Sequence, residues 1–248
     1  MGTILSLRNV DAGYGRINVL KDLSLRVDCG QTLGIIGPNG SGKTTLINVL
    51  SGLILPVRGS VIFDGRDITR MPPDARCRLG IGRTFQVPRP FERMKVFENV
   101  LTAAAYGSGE GRRENWERAL RSLDRVGLAD KKDLLSGELI LLDRKRLEIA
   151  RALATSPQLL LLDEIAAGLA SEEVGEILRI VSDLKKEGLT IIWIEHIIET
   201  LQAAADQLVC MAEGSVLISG TPDEVLRSEK VISLYLGTAV EETQHVVS

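Results

Sequence analysis

The 248-residue chain is 44% hydrophobic and 25% charged, with a net charge of −3, values of one large globular domain or one domain with an insert. The near-neutral balance gives no global field for nucleic acid. Three distant cysteines (Cys29, Cys77, Cys210) suit a reducing compartment rather than a disulfide framework or a metal site. The first thirty residues mix charge and glycine, so they do not read as a signal peptide. No apolar run nears the ~20 residues needed to cross a bilayer. A soluble or peripheral protein is expected, one that needs another chain to span any membrane it serves.

In chain order, Ile4–Val10 and Leu23–Val27 alternate apolar and polar residues as half-buried strands do. Gln31–Ile36 is a short apolar run entering a glycine-rich turn. Leu46–Leu50 continues as a helix, ended by Ser51-Gly52. Ser60–Phe63 followed by Asp64-Gly65 reads as strand then turn. The basic, proline-containing region Met71–Pro90 is expected to be mostly loop. In Arg112–Val126, Trp116, Ala119, Leu120, Leu123 and Val126 fall at helical spacing, with Gly127 as the stop. Arg144–Ala154 is a second helix, halted near Ser156-Pro157. Leu159–Leu162 is a buried strand ending in Asp163-Glu164. Glu172–Lys186 is helical, Thr190–Ile194 a buried strand, and Ile197–Ala205 helical. Gln207–Met211 and Ser215–Ile218 form a closing strand pair. Pro222–Leu226 and Val231–Leu236 make short helices.

Strands and helices thus alternate at both ends, around a mainly helical insert. The expected organisation is a single domain, 1–248. Its α/β core takes residues 1–86 and 156–238, its helical subdomain 87–155, and a flexible tail 239–248. The stretch from Arg66 to Lys95 carries eight basic side chains against three acids. It reads equally as a solvated loop face or a docking surface.

Gly37-Pro38-Asn39-Gly40-Ser41-Gly42-Lys43-Thr44 matches G-x-x-x-x-G-K-[ST] between a strand and a helix. Glycines let backbone N–H groups curl around phosphate oxygens, and the helix start adds its positive end. With the following Thr45, these residues are the candidate phosphate cradle. Lys43 would reach the β- and γ-phosphates, and the Thr44 hydroxyl would ligate Mg²⁺. Asp163 would sit in the Mg²⁺ shell, and Glu164 would orient or deprotonate the attacking water. Phosphoryl transfer needs mainly positioning and charge neutralisation, and these residues supply both.

Together these motifs resemble the nucleotide-binding subunit of an ABC transporter over nearly the whole chain. The resemblance implies a P-loop NTPase (RecA-like) core, an N-terminal antiparallel β subdomain and an inserted helical subdomain. It implies that Tyr14 stacks on adenine, that Gln86 touches Mg²⁺ and the water, and that His196 contacts the γ-phosphate. It implies ATP and Mg²⁺ as cofactors, and a place at the cytoplasmic face of the membrane. The implied partners are integral membrane permease subunits, a second ATP-binding subunit and, indirectly, a substrate-binding protein, with no nucleic acid. Arg83–Val100 and Val231–Gly237 look like importers of branched-chain and other hydrophobic amino acids.

One segment departs from the family pattern. In the family a signature of the type L-S-G-G-Q precedes R-x-x-I-A-R-A-L, and completes the site of the opposite subunit. Register set by residues 146–153 places it on Leu139-Ile140-Leu141-Leu142-Asp143. The serine is Ile140 and both glycines are leucines. Leu135-Ser136-Gly137 lies four residues too early, about 6 Å along a helix. A degenerate signature is expected rather than a displaced working one, and with it a heterodimer holding one competent site. Ile165 stands where proline is usual after the catalytic glutamate, and Ile197 where aspartate is common after the switch histidine.

Overall fold

The computed structural model describes residues 2–107 and 111–235. The expected tail 239–248, and the ends of the expected helix Val231–Leu236 and of the importer-like passage Val231–Gly237, lie outside the described residues.

Two sheets carry the architecture. The first is antiparallel, in the order β2 (Ile17–Asp28), β1 (Thr3–Tyr14), β4 (Arg58–Phe63), β5 (Arg66–Asp67). The second has six strands: β10 (Ser215–Gly220), β9 (Gln207–Ala212), β3 (Thr32–Ile36), β8 (Thr190–Ile194), β7 (Leu159–Asp163) and β6 (Ile81–Arg83). Neighbours from β9 to β6 pair in parallel, and β10 closes the edge antiparallel to β9. The chain is an α/β P-loop NTPase fold with an N-terminal antiparallel β subdomain.

The central strands read as unbroken apolar runs because both faces of the sheet are covered. Side chains alternate across a strand. Leu159 and Leu161 of β7 therefore enter the core under the antiparallel sheet, while Leu160 and Leu162 enter the core beneath the helices. The first core also takes Leu46, Ile47 and Leu50 of α1 (Lys43–Ser51). The second takes α3 (Val96–Gly107), α4 (Arg112–Arg125), α5 (Leu141–Ala154) and α6 (Ser171–Lys186). Beyond β8 come α7 (Ile198–Ala204) and, after β10, α8 (Pro222–Leu226). Among the described residues no helix is long and apolar enough to cross a membrane.

Some short elements were not expected, and one helix starts earlier than expected. The region Met71–Pro90 is mostly loop as expected, but it also holds α2 (Pro73–Arg78) and β6, which were not expected. A six-residue helix is too short to show periodicity, and its real signal is Pro73 at the first helical turn. Gly82 of β6 serves close packing, since a Cβ there would sit 3.1 Å from the Ala152 carbonyl oxygen. Helix α5 begins at Leu141 rather than Arg144. Helix α3, with Val96, Phe97, Val100 and Ala104 buried, went unassigned inside the helical insert.

The basic region also divides once folded. Arg76 is buried and donates to the carbonyls of Val49, Leu50, Ile68, Thr69 and Met71 at 2.6–3.2 Å. It thereby caps the end of α1, whose last carbonyls have no partner within the helix. Burial pushes its guanidinium down to about 10, which leaves it charged at neutral pH. Arg76→Met is expected to lower the unfolding free energy by about 3 kcal/mol, because several buried carbonyls lose their donor together. Urea denaturation checks this, and a loss within experimental scatter would contradict it.

Candidate active site

The site is built where β3 runs into residues 37–42 and α1. Gly37, Gly40 and Gly42 all have positive φ (151°, 79° and 101°). A Cβ on Gly37 would fall 2.3 Å from the Met211 carbonyl oxygen, so the turn requires glycine there. The loop closes with Ser41 N–H on the Pro38 carbonyl at 3.2 Å. The first N–H groups of α1 have no acceptor within the helix. Lys43 Nζ turns back onto the carbonyls of Gly37 (2.7 Å) and Pro38 (3.1 Å). Burial lowers the Lys43 pKa, opposed by the charges of Glu164, Cys210 and Asp163. A small cleft of about 160 Å³ joins Asn39, Gly40, Ser41, Gly42, Lys43, Thr44 and Thr45 to Glu164 and His196.

Strand β7 supplies the two acids. Asp163, its last residue, is 4% exposed. Arg83 Nη2 donates to Asp163 Oδ2 at 3.1 Å, and the Asp163 N–H reaches Thr84 Oγ1 at 3.3 Å. Burial raises the Asp163 pKa, and Arg83 opposes the shift. Glu164 then turns into the left-handed region, with φ 47°. Its N–H donates to the Ile194 carbonyl at 2.9 Å. Its carboxylate is held from both sides: Gln86 Nε2 donates to Oε2 at 2.6 Å, and His196 Nε2 lies 2.9 Å from Oε1. Tyr14 stands apart at the end of β1, half exposed, with Asn48 Nδ2 donating to its hydroxyl at 3.1 Å.

Three residues at the site escaped the sequence reading. Lys145 of α5 is 2% exposed, and its Nζ donates to the carbonyls of Gln86 (2.6 Å) and Glu164 (3.3 Å). Burial lowers its pKa, against the surrounding charges of Glu195, Glu164, Glu148 and Asp163. Glu195 Oε1 accepts from the Ala166 N–H (2.8 Å) and from Trp193 Nε1 (3.0 Å). Arg83 is the third. In sequence all three look like ordinary charged positions, and only the fold reveals what they touch.

The segment before α5 is organised without a free serine. Ser136 is buried, donating to the Phe91 carbonyl at 2.9 Å and accepting from Asn99 Nδ2 at 3.2 Å. Gly137 N–H donates to the Glu92 carbonyl at 3.1 Å. Ile140 caps α5 with no side-chain hydrogen bond, and it and Leu141 are 62% and 43% exposed. Asp143 is buried between Lys131 (2.5 Å) and Arg146 (3.3 Å).

A strand entering a glycine-rich loop and helix, beside a parallel strand that ends in two acids, defines a P-loop nucleotide hydrolase. The chain belongs to the ABC transporter family, whose model matches residues 20–167, and it is an ATPase of that family. It is 36% identical to the probable branched-chain amino acid transport ATP-binding protein LivG of Archaeoglobus fulgidus, over 97% of this chain and 98% of that one. It is 33% identical to the lipopolysaccharide export system ATP-binding protein LptB of Escherichia coli, over 94% and 97%. It is 32% identical to the L-cystine import ATP-binding protein TcyC of Bacillus subtilis, over 92% and 94%. Its fold superposes on the ADP conformation of MJ1267, an ATP-binding cassette of an ABC transporter, with a TM-score of 0.86, 34% identity and coverage of 96% and 100%.

Burial raises the folded-state pKa of Glu195, against its hydrogen bonds from Ala166 and Trp193. A carboxyl raised in the fold is protonated in both states at low pH, and costs stability once pH exceeds its unfolded value. Glutamine keeps an Oε1 acceptor for both donors. Glu195→Gln is therefore expected to be more stable than the wild type at pH 7–8, with the gain vanishing towards pH 4. Thermal melts across that range check it, and a variant less stable at pH 8 than at pH 4, relative to wild type, would contradict it.

Proposed function

We propose that this chain is the energy-coupling ATPase of an importer for branched-chain or related hydrophobic amino acids. It works peripherally at the cytoplasmic membrane face, in a heterodimer with one competent site. The observation that carries the ATPase role is the Glu164 carboxylate, clamped between Gln86 and His196 at the mouth of the phosphate loop. Identity to LivG and the passages Arg83–Val100 and Val231–Gly237 support the substrate class, with LptB as the counterweight.

In this reading Tyr14 stacks on the base, while Lys43 and the N–H groups of residues 37–45 hold the phosphates. Thr44, Gln86 and Asp163 offer a hydroxyl, an amide oxygen and a carboxylate, an all-oxygen set that suits Mg²⁺. Gln86 spends its Nε2 on Glu164, which leaves its amide oxygen for that role. When bound, Mg²⁺ neutralises phosphate charge. Glu164 takes the proton of the attacking water, and Gln86 and His196 fix the direction in which that carboxylate faces. Exposed Phe85, Val87, Phe91, Arg89 and Arg93 beside Gln86 form the surface for permease subunits. A substrate-binding protein then acts only through those permeases.

The heterodimer follows from the helix that should complete the opposite site. The start of α5 presents Ile140 and Leu141, which offer bulk and no hydroxyl, and the nearby Ser136 is committed to Phe91 and Asn99. Two copies would lack a donated half in both sites. A partner cassette with a serine–glycine signature would complete the site on this chain's phosphate loop.

The test is ATPase activity of the chain alone and with a co-expressed second cassette. Activity is expected only with the partner, and Glu164→Gln on this chain is expected to lower it at least ~100-fold. Full turnover by the chain alone, lost in the same variant, would overturn the heterodimer. Little turnover even with the partner would favour a regulatory nucleotide-binding subunit.

A further inference from the structure

We propose that Arg83 is a positioning residue. It fixes the Asp163 carboxylate and, through Asn48, makes it one mechanical unit with Tyr14. The inference rests on the reading above, in which Tyr14 takes the base and Asp163 the metal.

Arg83 ends β6, and its side chain is 11% exposed. One arm of the guanidinium, Nη1, donates to Asn48 Oδ1 at 2.7 Å and to Ser51 Oγ at 2.9 Å, both on α1. The other arm, Nη2, donates to Asp163 Oδ2 at 3.1 Å on β7. The Phe85 ring lies 5.0 Å from the guanidinium carbon. A planar fork tied down at both arms has one orientation, and so does the carboxylate it grips. Arg83 engages Oδ2, so it steers the carboxylate while Oδ1 remains for another ligand.

Asn48 extends the chain. Its side-chain amide has one acceptor end and one donor end, whereas Arg83 can only donate. The oxygen must therefore face Arg83, and the nitrogen must face Tyr14. Asn48 Nδ2 does donate to the Tyr14 hydroxyl at 3.1 Å. The Tyr14 ring is thus linked by three consecutive hydrogen-bonded contacts to the acid of the Mg²⁺ site. A base that shifts this half-exposed ring shifts Asn48, and with it the fork that orients Asp163. Coupling of this kind is reciprocal: base contact and Mg²⁺ each change the affinity for the other.

The test is ADP affinity of the full chain, which needs no second cassette. Ribose-labelled ADP is titrated in EDTA and again in Mg²⁺. The proteins are wild type, Arg83→Gln, Arg83→Lys, Asn48→Ala, Tyr14→Ala and the Tyr14→Ala Asn48→Ala double variant. In Arg83→Gln the tightening of ADP by Mg²⁺ is expected to shrink about fivefold, while affinity in EDTA changes less than about twofold. Arg83→Lys keeps the charge without the fork and is expected to show the same selective loss. Tyr14→Ala is expected to shrink the Mg²⁺ tightening about threefold in wild type but not in the Asn48→Ala background. Equal losses in EDTA and Mg²⁺ would assign Arg83 a role in the fold alone and overturn the proposal. So would a Tyr14 effect on the Mg²⁺ tightening that survives Asn48→Ala. Should the Arg83 variants fail to fold, the Asn48 comparison decides, because it leaves Arg83 in place. A wild type that binds ADP without any Mg²⁺ tightening would sink the site reading itself, and the inference with it.

Discussion

The left-handed backbone at Glu164 is the constraint on which the site depends. An L-residue in that conformation costs about 1–2 kcal/mol, and the surrounding structure holds it there. The Glu164 N–H is fixed on β8 by the Ile194 carbonyl, and its own carbonyl accepts from Ala167 N–H (3.2 Å) and Lys145 Nζ (3.3 Å). The turn lets two consecutive acids do different things. Asp163 stays in the strand, buried and gripped by Arg83. Glu164 swings out to meet Gln86 and His196, which arrive from β6 and β8. A regular strand would have sent the two side chains to opposite faces of the sheet.

In the proposed reading, the same region keeps the chain's own half-site and lacks the half it would lend. Helix α5 does both jobs at different depths. Lys145, inside the helix, reaches back to the carbonyls of Gln86 and Glu164 and serves the chain's own site. Ile140 and Leu141, at its exposed start, face outward with apolar side chains. In that reading the two roles use different turns of the helix, so the contacts of Lys145 do not depend on the outward one.

Features that depend on local chemistry were legible in the sequence. The phosphate loop is legible because glycine and lysine are needed at fixed spacing. The four leucines of β7 are legible because a strand covered on both faces must be apolar throughout. Helix α2 and strand β6 were missed because six and three residues show no period. The structure brings Lys43, Thr44, Glu164 and His196 to one cleft and places Gln86 against Glu164. Arg83 and Lys145 stayed hidden because their partners are distant in sequence, and Glu195 because it ties its neighbour Trp193 to the distant Ala166. Arg83 and Asp163 are eighty positions apart. Lys145, between Arg144 and Arg146, looks solvated until the fold encloses it. Arg76 misled in the same way, counted with a basic surface although it is buried against the end of α1.

The heterodimer proposal requires that this chain binds nucleotide in its own half-site and does not close on a copy of itself. The most direct measurement is sedimentation velocity of the Glu164→Gln chain with and without ATP, together with the amount of ATP bound per chain. The account predicts about one ATP per chain and a sedimentation coefficient unchanged by ATP, because neither copy offers the other a serine–glycine helix start. A second cassette with an intact signature should then bring ATP-dependent association. An ATP-dependent homodimer of Glu164→Gln would contradict the account, for it would mean that the segment around Ile140 and Leu141 still receives the phosphates of a facing copy.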